Sequence, residues 1–96
     1  MTNKNFYNAL KAEKERLMNE SKQASRDCQI KHGEMSKAWN IVNALESLGK
    51  FGTQELSNAY DNYEEASYAS MLADNHFDDI DEAIDKINGL MGLYEE

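Results

Sequence analysis

The strongest pattern of apolar and polar positions runs through residues 53–94. Counting in sevens from Leu56 and from Ala59 gives two rows of positions, in which ten of the twelve residues are aliphatic or aromatic. The rows are Leu56, Tyr63, Ser70, Phe77, Ile84 and Met91, and Ala59, Ala66, Ala73, Ile80, Ile87 and Tyr94. Two apolar positions in every seven predict a helix that packs lengthwise against another helix.

A weaker repeat of the same kind runs through the first half of the chain. Its rows are Tyr7, Lys14, Ser21, Cys28, Met35 and Val42, and Leu10, Leu17, Ala24, Lys31, Ala38 and Leu45. Gly33 interrupts good helix formers at a cost of about 1 kcal/mol relative to alanine, but no proline or glycine pair stands beside it. We therefore expect one helix over about residues 5–48.

The chain has one strong break, at residues 47–53. Gly49 suits the left-handed position after a helix, Gly52 loosens the return, and Thr53 can cap a second helix with Glu55 in its first turn. We predict a loop at 49–53 and a second helix over about 54–94. A short loop between two long helices favours an antiparallel hairpin.

The two repeats also predict how the helices face each other. If facing residues have numbers that sum to 101, each core position of one helix meets a core position of the other. Leu45 then faces Leu56 and Leu17 faces Ile84. Small residues often meet large ones, as close packing requires, because Ala38 faces Tyr63, Ala24 faces Phe77 and Ser21 faces Ile80. The expected fold is all-α, a long coiled-coil-like antiparallel two-helix hairpin in a single domain of residues 1–96, which dimerisation would complete into a bundle.

Composition adds few constraints on location. The chain has 96 residues, no proline and a single cysteine, Cys28, so an internal disulfide is excluded. The start of the chain shows no secretory signal. The sequence also contains no apolar run of eighteen residues, which is about the length that a membrane-spanning helix needs. We expect a cytoplasmic protein that acts inside a host cell and does not bind membranes.

Charge is distributed unevenly between the two halves. Residues 1–50 carry nine Lys or Arg and six acids, a net charge of +3, whereas residues 51–96 carry Lys86 and twelve acids, a net charge of −11. A protein that binds nucleic acid directly needs a basic face to neutralise phosphates, so direct nucleic-acid binding is not expected. The acidic half favours a protein partner with a basic surface.

The densest acidic segment, residues 74–85, holds six acids over about 17 Å of helix, roughly one per 3 Å, which is close to the ~3.4 Å phosphate spacing of a DNA strand. One interpretation is a rod that imitates nucleic acid; the other is a solvated face that keeps the hairpin in solution. The acidic residues that we predict to bind a partner are Asp61, Glu64, Glu65, Asp74, Asp78, Asp79, Asp81, Glu82 and Asp85.

Apolar residues outside the core rows form two further clusters. Clusters of this kind mark contact sites more often than scattered apolar residues do, and aromatic residues and Met are enriched in interface cores. One cluster surrounds the loop and the other lies on the outer face of the second helix. The predicted apolar contact residues are Trp39, Ile41, Leu48, Phe51 and Tyr60, and Tyr68, Met71 and Leu72.

The sequence offers little chemistry. The acidic run lacks the central glycine and ligand spacing of an EF-hand, and the two histidines are predicted to lie about 10 Å apart along the hairpin. Cys28 is expected at a core position opposite Ala73, with no base placed to activate it. Lys14 and Lys31 are expected to run their stems along the core and reach toward the acidic helix. We predict no catalytic residue, no metal site and no cofactor.

Size and a central turn are similar to those of the small secreted helical hairpins with a Trp-x-Gly turn, of the early secreted antigen type. Here the tryptophan stands in Trp39-Asn40-Ile41, without the glycine, and Tyr60-x-x-x-Glu64, which is similar to that family's Tyr-x-x-x-acid export signal, falls inside the second helix. The resemblance covers architecture only and implies export as an alternative.

Small acidic chains rich in Asn, Lys and Glu also resemble products of phages and other mobile elements, many of which inhibit host machinery. The main functional hypothesis is therefore a non-enzymatic inhibitor whose acidic helix occupies a basic, nucleic-acid-binding surface of a target protein. The alternative from another class is a structural or assembly hairpin that oligomerises, for example as a homodimer, through its apolar outer faces.

Overall fold

Two long helices make up the computed structural model, which describes residues 2–94. Helix α1 is Thr2–Ser47 and helix α2 is Gln54–Gly92. They confirm the predicted all-α helical hairpin. Helix α1 begins three residues before the predicted start and continues through Gly33, and α2 ends two residues before the predicted end.

The turn between the helices follows from its two glycines and its threonine. Gly49 has a φ of 72° and Gly52 a φ of 75°, both in the left-handed region that glycine enters without steric cost. The amide of Gly49 donates to the carbonyl of Glu46 at 2.9 Å and that of Lys50 donates to Leu45 at 3.0 Å, the two bonds of a Schellman motif. At the start of α2, the Thr53 hydroxyl accepts a hydrogen bond from the Leu56 amide at 3.2 Å, as expected of an N-cap.

The chain forms two compact units. The terminal unit combines Met1–Ser25 with Asn75–Glu96, and the loop unit is Arg26–Asp74. Each unit contains part of α1 and part of α2, and each has its own cluster of buried residues.

The core of the loop unit is formed by Val42, Leu56 and Ala59, against which Leu45 and Tyr63 pack. Val42 is completely buried. The cluster contains both facing pairs that the constant sum of 101 predicts next to the turn, Leu45 with Leu56 and Val42 with Ala59.

The core of the terminal unit is formed by Leu17, Ala24 and Ile80, and its half-buried neighbours include Phe77 and Ile84. The predicted pairs Ala24 with Phe77 and Leu17 with Ile84 belong to this cluster. At the chain ends, the rings of Phe6 and Tyr94 meet edge to face with their centroids 5.0 Å apart.

The heptad rows describe burial along both helices. Every position in the four rows is buried or half-buried, including the polar ones. Ser70, for example, is 3% exposed. The expectation for Lys31 was wrong in one respect, because its ammonium lies 3.9 Å from Glu34 on its own helix and not against an acid of α2. Intrahelical i,i+3 pairing is the shorter reach from a position at the edge of the core.

Candidate protein-binding surfaces

The predicted contact acids of the terminal unit form an exposed segment on α2, which we call the acidic segment and define as Asp78, Asp79, Asp81, Glu82 and Asp85. All five side chains are exposed. Glu82 forms an ion pair with Lys86, with 3.3 Å between Oε1 of Glu82 and Nζ of Lys86. Among the described residues, no ion pair involves the other four. The acidic segment is therefore a concentration of charge that nothing in the described chain balances, apart from Lys86.

The predicted contact acids of the loop unit divide into two kinds. Asp61, Glu64 and Glu65 are exposed, as predicted for a contact surface. Asp74 is half-buried, and its two carboxylate oxygens lie 3.0 and 3.2 Å from Nε2 of His32 on α1. Asp74 differs from the other predicted contact acids because a side chain of the other helix already contacts it.

Cys28 also contacts Asp74. The His32 hydrogen bond and then the Cys28 hydrogen bond hold the pKa of Asp74 below its usual range, because both stabilise the carboxylate. The sequence predicted no carboxylate beside Cys28, and the facing sum of 101 would put His32 opposite residue 69. Those positions came from the sum of 101, which applies to core rows. His32 and Asp74 instead occupy the position that flanks the core on each helix, where facing numbers sum to 106.

The same flanking geometry recurs nearer the turn. Glu46 and Tyr60, whose numbers also sum to 106, are joined by a hydrogen bond from the Tyr60 hydroxyl to the Glu46 carboxylate. This bond raises the pKa of Tyr60, because the carboxylate stabilises the protonated phenol. Tyr60, predicted as an apolar contact residue, thus uses its polar end to join the two helices of the hairpin.

Trp39 is the second aromatic residue on this face. Its ring is tilted 49° to that of Tyr63, with centroids 4.9 Å apart, and 43% of the residue remains exposed. The two rings border a shallow groove of about 210 Å³ that is also lined by Met35, Ser36 and Asn40. Trp39 therefore has a structural contact on one side and an open surface on the other.

The remaining predicted contact residues are exposed. Near the turn, Ile41 is 56%, Leu48 71% and Phe51 68% exposed. On α2, Tyr68 is 60% exposed, and Met71 and Leu72 are each 48% exposed. The structure places all of them at the surface, where each remains available for a contact.

The sequence analysis missed Ile30, which is 58% exposed on α1. It also missed Met18 and Leu90, exposed by 46% and 43%. The signal was available, since all three lie outside the heptad rows. They were overlooked because Met18 and Leu90 stand next to core-row residues in the sequence and Ile30 stands between polar residues, so that none of them belongs to an apparent cluster.

Other classes of site gain no support. Within residues 2–94, no group of three or more His, Cys, Asp or Glu side chains is arranged to hold a metal ion. Neither α1 nor α2, as far as it is described, contains a stretch both long and apolar enough to cross a lipid bilayer. Trp39 lies inside α1 and residues 48–53 contain no tryptophan, so the turn differs from a Trp-x-Gly turn.

Comparisons with protein-family models, with curated proteins and with solved structures give no match to this chain.

Proposed function

We propose that the chain is a non-enzymatic protein-binding module, of the kind that phages and mobile elements use to inhibit host proteins. In this proposal the acidic segment occupies a basic, nucleic-acid-binding surface of the target in the host cytoplasm. One observation carries it: Asp78, Asp79, Asp81 and Asp85 are exposed and have no ion pair among the described residues.

The spacing of these carboxylates supports the proposal. Residues 78–85 span roughly 10 Å of helix and carry five acids, a charge density similar to that of the phosphates along a nucleic acid. Asp78, Asp81 and Asp85 are three and four residues apart and share one side of α2, because such residues are neighbours on a helix. A basic groove that accepts phosphates can therefore accept this row of charges.

The acidic segment is also costly for the hairpin itself. Like charges three or four residues apart on a helix repel each other, by roughly 0.2–0.5 kcal/mol per pair at low salt. Within the described chain only Lys86 offsets this repulsion, through Glu82. Neutralising the segment should therefore stabilise the free protein slightly, and a loss of binding could not be attributed to unfolding.

The experiment compares two triple variants that change the net charge equally. Asp78→Asn, Asp81→Asn and Asp85→Asn neutralise the acidic segment, and Glu15→Gln, Glu20→Gln and Asp27→Asn neutralise three exposed acids of α1. Each immobilised protein is incubated with nuclease-treated host lysate, and the retained proteins are challenged with a duplex DNA oligonucleotide and with rising salt.

We expect the unchanged chain and the α1 triple variant to retain the same target, which DNA displaces and which salt releases steeply. We expect the acidic-segment variant to lose the target while keeping full helicity by circular dichroism. Retention by the acidic-segment variant, or binding insensitive to both DNA and salt, would refute the proposal.

A second candidate function is a structural or assembly hairpin that oligomerises through its apolar outer faces. The exposure of Ile41, Leu48 and Phe51 near the turn favours it, because clustered exposed apolar residues mark contact sites. Trp39→Ala should dissolve such an assembly if the cluster around the turn forms its interface. Sedimentation of the two proteins measures this directly.

A further inference from the structure

An exposed stripe of apolar and charged side chains runs along α1 on the side away from Trp39. Ile30, Glu34, Lys37 and Ile41 follow one another at intervals of four, three and four residues, which places them on one side of the helix. All four are exposed, with Ile30 at 58% and Ile41 at 56%. We call this set the α1 stripe; it lies entirely within the loop unit.

The α1 stripe is complementary to itself when it is reversed. If a second copy of the helix runs antiparallel so that facing numbers sum to 71, Ile30 faces Ile41 and Glu34 faces Lys37. Each contact then occurs twice about a two-fold axis near residues 35 and 36. A two-fold interface requires that the same patch match itself in this way. A parallel arrangement would place Glu34 on Glu34 and Lys37 on Lys37, which is unfavourable.

Charge selects α1 over α2 as the self-associating helix. Residues 26–47 carry three basic residues and three acids, a net charge of zero, whereas residues 54–74 carry five acids and no basic residue. Two copies that meet through Tyr68, Met71 and Leu72 would bring these acids together. Two copies that meet through the α1 stripe incur no net repulsion.

The charged residues of the α1 stripe are available for such a contact. Among the described residues, Lys37 has no ion pair, and Glu34 has one long contact, 3.9 Å from Lys31. The exposed isoleucines gain from burial, since removing apolar surface from water is favourable. The centre of the stripe thus offers two ion pairs, with an apolar contact on either side of them.

From these contacts we infer that two copies of the chain associate through the α1 stripe, antiparallel, with Glu34 of each copy paired to Lys37 of the other. The inference does not depend on the acidic segment, which lies on α2. It also differs from an assembly around the turn. The two surfaces share Ile41, but Trp39 is nine residues, or about 180°, from Ile30 around the helix.

Charge reversal tests the inference on the intact chain. Glu34→Lys places lysine against Lys37, and Lys37→Glu places glutamate against Glu34, so each single variant replaces two attractive contacts with two repulsive ones. The double variant restores complementarity with the signs exchanged. An equimolar mixture of the two single variants also restores it, in a heterodimer. The matched controls are Glu15→Lys and Lys22→Glu, exposed positions of α1 outside the stripe.

Sedimentation equilibrium up to about 500 µM, a range suited to weak association, measures the dimerisation constant of each protein. We expect the wild type, both controls, the double variant and the mixture to dimerise, and each single variant to associate at least about fivefold more weakly. Circular dichroism of each variant verifies that helicity is unchanged.

Three outcomes would overturn the inference: a wild type that stays monomeric throughout, single variants that associate as the wild type does, or a mixture that does not recover. A further pair of variants separates this interface from the one around the turn. Ile30→Gln should weaken dimerisation and Trp39→Ala should leave it unchanged, and the reverse result would assign the interface to the turn.

Discussion

The loop unit and the terminal unit are both held by a cluster of three buried apolar residues, but they use their polar side chains differently. In the loop unit, side chains that flank the core join one helix to the other, as in the bonds from Tyr60 to Glu46 and between His32 and Asp74. Among the described residues of the terminal unit, each ion pair lies within a single helix. Arg16 pairs with Glu13 and Glu20, and Lys86 pairs with Glu82.

Charged residues therefore have two different roles in the two units: they align the helices with each other, or they stabilise a single helix. A hydrogen bond between helices has a direction and a distance, so it fixes which residues face each other, whereas a pair within one helix stabilises that helix whatever it faces. In the loop unit, the carboxylates of Asp74 and Glu46 thus help to specify which residues of the two helices face each other. Apart from Glu82, which pairs with Lys86, the acids of the acidic segment face solvent or a partner.

The largest test of the comparison is to remove equivalent core leucines from the two units. Leu56 in the loop unit and Leu17 in the terminal unit are 6% and 7% exposed. We expect Leu56→Ala and Leu17→Ala each to lower the free energy of unfolding by about 2–4 kcal/mol, because each leaves a cavity in a small cluster. Urea unfolding followed by circular dichroism measures the loss.

Hydrogen exchange then shows where each loss falls. Leu56→Ala should increase amide exchange mostly within residues 26–74, and Leu17→Ala mostly outside them, since each cluster packs within its own unit. The controls are Leu48→Ala and Leu93→Ala, which remove leucines that are 71% and 77% exposed and should change stability by less than about 0.5 kcal/mol. Equal changes in exchange throughout the chain for both core variants would contradict two separate clusters.

A smaller effect is expected from the aromatic pair of each unit. We expect Trp39→Ala to lower the free energy of unfolding by about 1–2 kcal/mol, through the lost contact with Tyr63 and the lost apolar area. Phe6→Ala should cost less than about 1 kcal/mol, because Phe6 and Tyr94 lie near the chain ends, where helices fray. Thermal unfolding measures both.

Met18→Ala is the control for the aromatic variants, because Met18 is as exposed as Phe6, at 46%, and belongs to no aromatic pair in the described chain. Trp39 is the single tryptophan, so its emission reports on the pair directly. A Tyr63→Leu variant with unchanged tryptophan emission would show that the two rings are not in contact in solution.

The smallest effect is the pH dependence that Asp74 contributes. His32, and secondly Cys28, lower the pKa of Asp74 in the folded chain, so its contribution to stability is present above its ordinary pKa of about 4 and is lost as the pH falls through the lowered value. Acidification below about pH 4 should therefore destabilise the wild type more than an Asp74→Asn variant, in which this group does not titrate.

Asp61→Asn removes an exposed acid of the same helix and is the control for Asp74→Asn. Thermal unfolding at several pH values from about 2 to 6 covers the relevant window. A wild type and an Asp74→Asn variant with parallel pH profiles would show that the contact between His32 and Asp74 contributes nothing to stability in solution.

Much of the fold could be predicted because the heptad signal is local and repetitive. The seven-residue spacing of rows such as those of Leu56 and Ile80 predicts the buried side of a helix. Gly49 predicts the end of the first helix through its backbone preference, and Thr53 predicts the start of the second through its capping hydroxyl. The flanking contacts could not be predicted in the same way. The sum of 101 describes core rows, and it gives no information on whether His32 turns toward Asp74 or toward solvent.

The sequence by itself determined the helices, the turn and the burial of the core rows, because apolar spacing, glycine and a capping hydroxyl act within a few residues. Only the tertiary structure decided which polar side chains form contacts between the two helices and which stay exposed. Asp74 and Asp78 are acids four residues apart on α2, yet Asp74 contacts His32 of α1 and Asp78 is exposed. That choice depends on what the facing helix places opposite each residue, which is a property of the packed hairpin.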